Sequence, residues 1–214
     1  MFRIPTRVIG LAAIGALLVG SLPLASAQDF PNRPLRLIVP YSAGSTTDLV
    51  ARIAAQELSE RLRQPVAVEN RTGAGATVGV SSLKASPKDG YTMGLIASGN
   101  VIAPWLSKDV PFDVRKDFVA ISMLWAGPYL LNVPPSFPAS NVAEFLAEAR
   151  KRAKPMLYGS SGNGTTTHLA GELLKQMTGI PMTHVPYRGS PQVVAGLMSG
   201  DIDFYFDLYG TSKP

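Results

Sequence analysis

The chain has 214 residues, no cysteine and a formal net charge of +5. The lack of cysteine excludes a disulfide framework, thiol chemistry and a lipid carried on an N-terminal cysteine. The charge is mild and no long Lys/Arg run is present, so nucleic-acid binding has little support and only a weak bias toward anions remains.

Residues 1–27 read as a secretory signal. Arg3 and Arg7 form the basic start, Val8–Gly20 is apolar but short for a membrane span, and Ala25-Ser26-Ala27 gives a small-residue cleavage pattern. The exported chain is therefore expected to begin at Gln28. Leu35–Val39 is a near-continuous apolar strand, as in a parallel sheet covered on both faces. Pro40-Tyr41-Ser42-Ala43-Gly44-Ser45-Thr46-Thr47-Asp48 follows, and then a helix with Leu49, Val50, Ile53, Ala54, Leu58 and Leu62 on its apolar face. Pro65 ends that helix and Val66–Val68 starts a second strand. A glycine-rich turn at residues 70–79 leads to a short helix over Val78–Ala85, and Thr92–Ala97 is a third strand. This βαβαβ order predicts a parallel α/β unit.

Residues 98–118 are less regular, with Trp105 and Phe112 expected to anchor them by burial. Val119–Trp125 and Tyr129–Val133 read as strands. Asn141 and Glu144 form a capping box for a helix to about Lys154. A strand at Met156–Tyr158, a helix ending near Thr178 with Gly179 after it, a strand at Met182–Val185, a helix from Ser190 to Gly200 and a strand at Ile202–Asp207 complete the pattern. The expected division is a first α/β unit over 28–100, a second over 101–207, and a tail at 208–214.

The most informative stretch is Tyr158-Gly-Ser-Ser-Gly-Asn-Gly-Thr-Thr-Thr-His168. It reads as strand, glycine-rich loop and helix start, with Leu169, Ala170, Leu173, Leu174 and Met177 as the helix's apolar pattern. Helix N-termini offer unpaired N–H groups and partial positive charge, and glycines let backbone approach a ligand. Such a loop suits a carboxylate or phosphate. The Tyr41–Asp48 loop repeats the device. Both loops lie at carboxyl ends of strands, where open α/β sheets bind ligands, so the two helix starts are expected to face one cleft.

Several stretches together resemble one family. They are Arg36–Tyr41 with Gly44 and Asp48; Pro65–Arg71 with Gly73-Ala74-Gly75; Asp89-Gly90-Tyr91-Thr92; Ser161–Gly164 with His168-Leu169; and His184–Ser190. In this order they resemble the periplasmic solute receptors of tripartite tricarboxylate transporters, the Bug or TctC-like family. The resemblance implies a type II periplasmic-binding-protein fold, two α/β lobes with a ligand cleft between them. It implies no catalysis and no cofactor or metal. The partners would be a small organic carboxylate ligand and a membrane permease, with the receptor a free periplasmic monomer. Carried over by position, the implied ligand-binding residues are Tyr41, Ser42, Ala43, Gly44, Ser45, Thr46 and Asp48 from the first lobe. From the second come Ser160, Ser161, Asn163, Gly164, Thr165, Thr166 and His168, with Tyr187, Arg188, Ser190 and Asp207 as further pocket members. Ser45 stands where the family has a second glycine. Family members also continue for roughly another hundred residues, about one small domain. The resemblance therefore implies a C-terminally truncated member with an incomplete first lobe.

Rival motifs are weaker. Gly73-Ala-Gly75-Ala-Thr-Val-Gly79 has its third glycine displaced by one from a dinucleotide fingerprint, and no acidic residue ends the next strand. Gly159–Gly164 lacks the lysine of a phosphate-binding P-loop. Gly159-Ser-Ser-Gly-Asn163 is not a nucleophile elbow, and Ser161 and His168 have nothing to align them as a triad with Asp207. His168 and His184 have no carboxylate cluster for a metal. The alternatives that stay open are a secreted α/β hydrolase or transferase acting on an anionic substrate, and a signalling ectodomain presenting its ligand to a sensor.

Overall fold

Leu35–Val39 (β1) sits at the centre of a three-stranded parallel sheet of order β2-β1-β3. The computed structural model describes residues 29–209, so the expected signal lies outside the described residues. Val66–Asn70 (β2) pairs with β1 in the register Leu35↔Val66, and Thr92–Gly94 (β3) in the register Arg36↔Thr92. Leu35, Leu37, Ile38 and Val39 are buried, because a central parallel strand has both faces covered. The helices Thr46–Leu62 (α1) and Thr77–Lys84 (α2) connect these strands. Next come Ser98–Leu106 (α3) and the single turn Val114–Asp117 (α4).

The second sheet has the order β4-β7-β5-β6. Its strands are Tyr129–Asn132 (β4), Met156–Ser160 (β5), Met182–Pro186 (β6) and Phe204–Leu208 (β7). β5 runs parallel to β6 and β7, while β4 is antiparallel to β7. Val142–Lys151 (α5), Thr166–Thr178 (α6) and Ser190–Ser199 (α7) are the helices of this lobe. Asn141 caps α5 by accepting from the Glu144 N–H, and the Glu144 carboxylate accepts from the Ser140 N–H, so the expected box is half displaced. The core packs Phe145 against a tilted Phe137 and edge-to-face with Phe204, with Met156, Tyr158 and Met182 beside them. From Arg33 onward the described residues form one compact unit.

Four expectations need correction. Val119–Trp125 forms no ladder, and Val119 is 90% exposed, with Ile121 and Met123 also in solvent. A strand needs a neighbouring strand for its N–H and C=O groups, and neither sheet offers one to this segment. Trp105 is 81% exposed, and only Phe112 of the expected pair is buried. Residues 98–118 are more regular than their prolines suggest, since α3 continues through Pro104. The helix faces are also rotated. α1 turns Ala51 and Ala55 to the sheet and leaves Leu49 and Ile53 exposed. α6 packs Gly171 onto Tyr158 while Leu173 and Met177 face outward, whereas α7 buries Val193 and Leu197 and exposes Met198. Small residues let a helix lie close to a sheet, and closeness here outweighs burial of the larger side chains.

Candidate functional site

Glycine-rich turns at the carboxyl ends of β1, β2, β5 and β6 bring four helix starts together. Gly75, with φ of 60°, lies so close to Asn163 that a Cβ there would overlap the Asn163 carbonyl oxygen. This contact ties the α2 start to the loop before α6. A Cβ on Gly99 would lie 3.2 Å from the Gly164 oxygen, which places α3 against the same loop. Ser42, from the loop before α1, lies against Gly189 at the start of α7.

Between these loops is a cleft of about 980 Å³. Tyr41 and residues 72–77 line it from the first lobe. Ser161–Gly164, His168, Tyr187 and Arg188 line it from the second, and Leu106, Ser107 and Asp109 close one side. Arg188 is exposed and makes no ion pair among the described residues. Burial pushes the Tyr41 hydroxyl pKa well above its ordinary value, so it stays a neutral donor or acceptor.

The helix starts differ in how their N–H groups are met. At α1 the Ser45 side chain accepts from the Asp48 N–H at 3.3 Å, and the Asp48 carboxylate accepts from the Gly44 N–H at 2.9 Å. Arg52 and Asn70 also donate to Asp48, which is only 2% exposed. Burial opposes its charge, but the bonds from Arg52, Gly44 and Asn70 outweigh burial and hold its pKa below the usual value. The α1 start thus carries an anion of its own. The starts of α2, α6 and α7, after Ala76, Thr165 and Gly189, have no side-chain cap. At α2 the Thr77 and Val78 N–H groups donate to the Ala74 and Gly73 carbonyls, and at α7 the Gln192 N–H donates to the Gly189 carbonyl while Pro191 has no N–H. The α6 start is thus the one that keeps its first-turn N–H groups free of side-chain acceptors.

The expected ligand residues therefore divide. Tyr41, Ser161, Asn163, Gly164, His168, Tyr187 and Arg188 line the cleft. Ala43 and Gly44 are exposed on the first loop, Gly44 beside Pro191. Ser42 keeps a buried hydroxyl without a hydrogen-bond partner. Ser45, Thr46 and Asp48 are buried within the α1 start. Ser160 is buried and its hydroxyl meets His184 Nε2 at 2.5 Å. Thr165 donates to the Gly162 carbonyl at 2.6 Å, bracing the loop. Thr166 bonds with Tyr129, Ser190 with the Tyr205 hydroxyl at 2.8 Å, and Asp207 lies buried with Tyr205. Ser161 bonds with Thr167, not with His168.

Sequence reasoning did not place residues 72–77 in the cleft or His184 behind it. Gly73 and Gly75 after a strand were a usable signal for the first, since they repeat the device of the other two loops. His184 comes in through strand register: it lies opposite Tyr158, and its ring stacks on His168 with centroids 4.0 Å apart.

Two α/β lobes meeting at a cleft walled by helix starts define a solute-binding protein in architecture. The chain belongs to the tripartite tricarboxylate transporter receptor family, TctC, whose pattern matches residues 50–212. A UPF0065 protein of Bordetella pertussis is 37% identical over 201 residues, covering 93% of this chain and 61% of the relative. BugT of the same organism is 33% identical, covering 91% and 60%. Among solved structures, Rpa4515 of R. palustris with adipate superposes with a TM-score of 0.83 at 36% identity, covering 87% of this chain and 62% of that one. MatC of Rhodopseudomonas palustris with bound malate gives 0.77 at 27% identity, covering 86% and 63%. The chain thus spans about three fifths of the length of these relatives and carries the corresponding part of their fold.

Proposed function

We propose that this chain captures a small organic carboxylate in the cleft for delivery to a tripartite tricarboxylate-type permease in the periplasm. The observation that carries the reading is the uncapped α6 start at a cleft that the turn before α2 and Arg188 also line. Uncapped first turns supply oriented N–H donors and positive potential for an oxyanion. A second carboxylate would meet the Arg188 guanidinium, which suits bidentate pairing. The adipate and malate found in structural neighbours have this chemistry.

A binding role without catalysis is supported by how the hydroxyls are used. Ser161 is turned to Thr167, and Ser160, although bonded to His184, is buried. Calorimetry of the whole chain with adipate and malate tests the reading. Saturable binding of either, weakened about tenfold or more in Arg188→Ala, is the expected result. Absence of binding, or ester turnover lost in Ser161→Ala, would overturn it.

A further inference from the structure

We propose that the stacked His168–His184 pair is a proton-operated latch on the cleft: a proton on His168 breaks its bond with Gly164 and loosens the loop that presents the α6 start. The inference rests on the carboxylate-capture reading only for its effect on affinity. The latch itself stands on the geometry of the loop.

The Gly164 N–H donates to His168 Nδ1 at 3.2 Å. Nδ1 is therefore the bare nitrogen and Nε2 carries the proton of the neutral ring, a tautomer assigned from this network. A second proton can go only to Nδ1. There it would face the Gly164 N–H, donor against donor. Gly164 and His168 both line the cleft, and Gly164 immediately precedes the α6 cap Thr165. Loss of this bond therefore acts on the part of the site that would hold the anion.

The surroundings oppose charge on the pair. The two rings stack with centroids 4.0 Å apart, so two imidazolium charges would repel at contact distance. Tyr158 of β5 stacks on His184 at 5.0 Å and on His168 at 6.4 Å, and Phe204 of β7 stacks on Tyr158 in turn. From α6, Glu172 favours charge on both histidines, but its carboxylate already accepts the Tyr158 hydroxyl at 2.6 Å. Lys175, on the same helix, opposes charge on His168. Burial is the largest influence and lowers both pKa values, that of His184 to about 4, with His168 adding to the effect there.

The sign follows from proton counting. The latched loop holds His168 with a lowered pKa, whereas a loosened loop returns it toward the ordinary ~6.5. The loosened state binds more protons, so the latched state is favoured above about pH 6.5 and loses ground as pH falls through the lowered His168 value. A bound carboxylate pulls the other way, since it would attract an imidazolium. The two signs make the measurement decisive.

The test is a 15N NMR titration of the ligand-free whole chain from pH 8 to 4. The expected result is His168 titrating below 6.5, with the Gly164 amide shift following that titration. A His168 that titrates at or above 6.5, or a Gly164 amide silent through it, overturns the latch. In parallel, adipate affinity is measured at pH 7.5 and 5.5 for the wild type and for His168→Asn, which retains an acceptor but cannot titrate. The expected fall for the wild type exceeds that for the variant by about threefold or more. An equal fall, or affinity rising on acidification, overturns the coupling. If adipate fails to bind at pH 7.5, the capture reading falls while the NMR titration still decides the latch. If His168→Asn does not fold, His168→Gln takes its place and the NMR arm stands unchanged.

Discussion

Asp48 shows how one residue decides which helix start is available to a ligand. Its carboxylate takes the Gly44 N–H and two side-chain donors, so the α1 start is already satisfied. Asp48→Asn keeps the shape but removes the charge, and should lower stability by about 1–3 kcal/mol at neutral pH, read from urea unfolding. Because the folded pKa is lowered, this contribution is complete above about pH 4 and is lost as pH falls through the folded value. The variant's unfolding curve should therefore be flatter in acid. The turn before α2 gives a pair of opposite sign. Ala74 is exposed with φ of 46°, a conformation that costs a residue bearing a Cβ, so Ala74→Gly should stabilise by about 0.5–1 kcal/mol. Gly75→Ala adds a Cβ both at positive φ and into the Asn163 carbonyl, and should destabilise by about 1–3 kcal/mol. Thermal melts of both variants check the pair. At this scale the glycine loops were legible, because their chemistry is local. The Ser160–His184 bond was not, because it joins residues 24 apart through the register of two parallel strands.

Among the elements, strands that lie inside a sheet read directly from the sequence: β1 spans Leu35–Val39 as its apolar run predicts. The helices α1, α2, α5, α6 and α7 were equally legible, but α3, which runs through Pro104, was not, and neither was helix orientation. Hydrophobic periodicity marks the widest apolar stripe, whereas α1 and α6 pack through Ala51 and Gly171, which a hydrophobicity count undervalues. The segment 119–125 fails for another reason. Its alternation of Val119, Ile121, Met123 and Trp125 is strand-like, yet no strand stands beside it. An exposed, unpaired apolar run is an aggregation site. Ile121→Lys combined with Met123→Glu should reduce binding of a hydrophobic dye and slow aggregation. The melting point should move little, since exposed substitutions cost within about 0.5 kcal/mol each. A drop of many degrees would show that these side chains are packed in solution.

At the scale of the whole molecule, the cleft depends on loops from both sheets. Tyr41 and residues 72–77 come from one, and Ser161–Gly164, His168 and Arg188 from the other. A dicarboxylate that touches both must oppose their separation, and it binds only when both are folded. Ligand binding then adds stability by mass action, about 2.7 kcal/mol at a hundred times the dissociation constant. For a chain of this size that corresponds to a rise in melting temperature on the order of 5–10 °C. Adipate should produce such a rise in the wild type. Arg188→Ala, which removes a charge without touching the core, should leave the ligand-free melt in place and reduce the rise at the same adipate concentration. If the ligand-free melt instead falls with the substitution, Arg188 supports the fold. The second carboxylate would then have to be met by the α6 helix start alone.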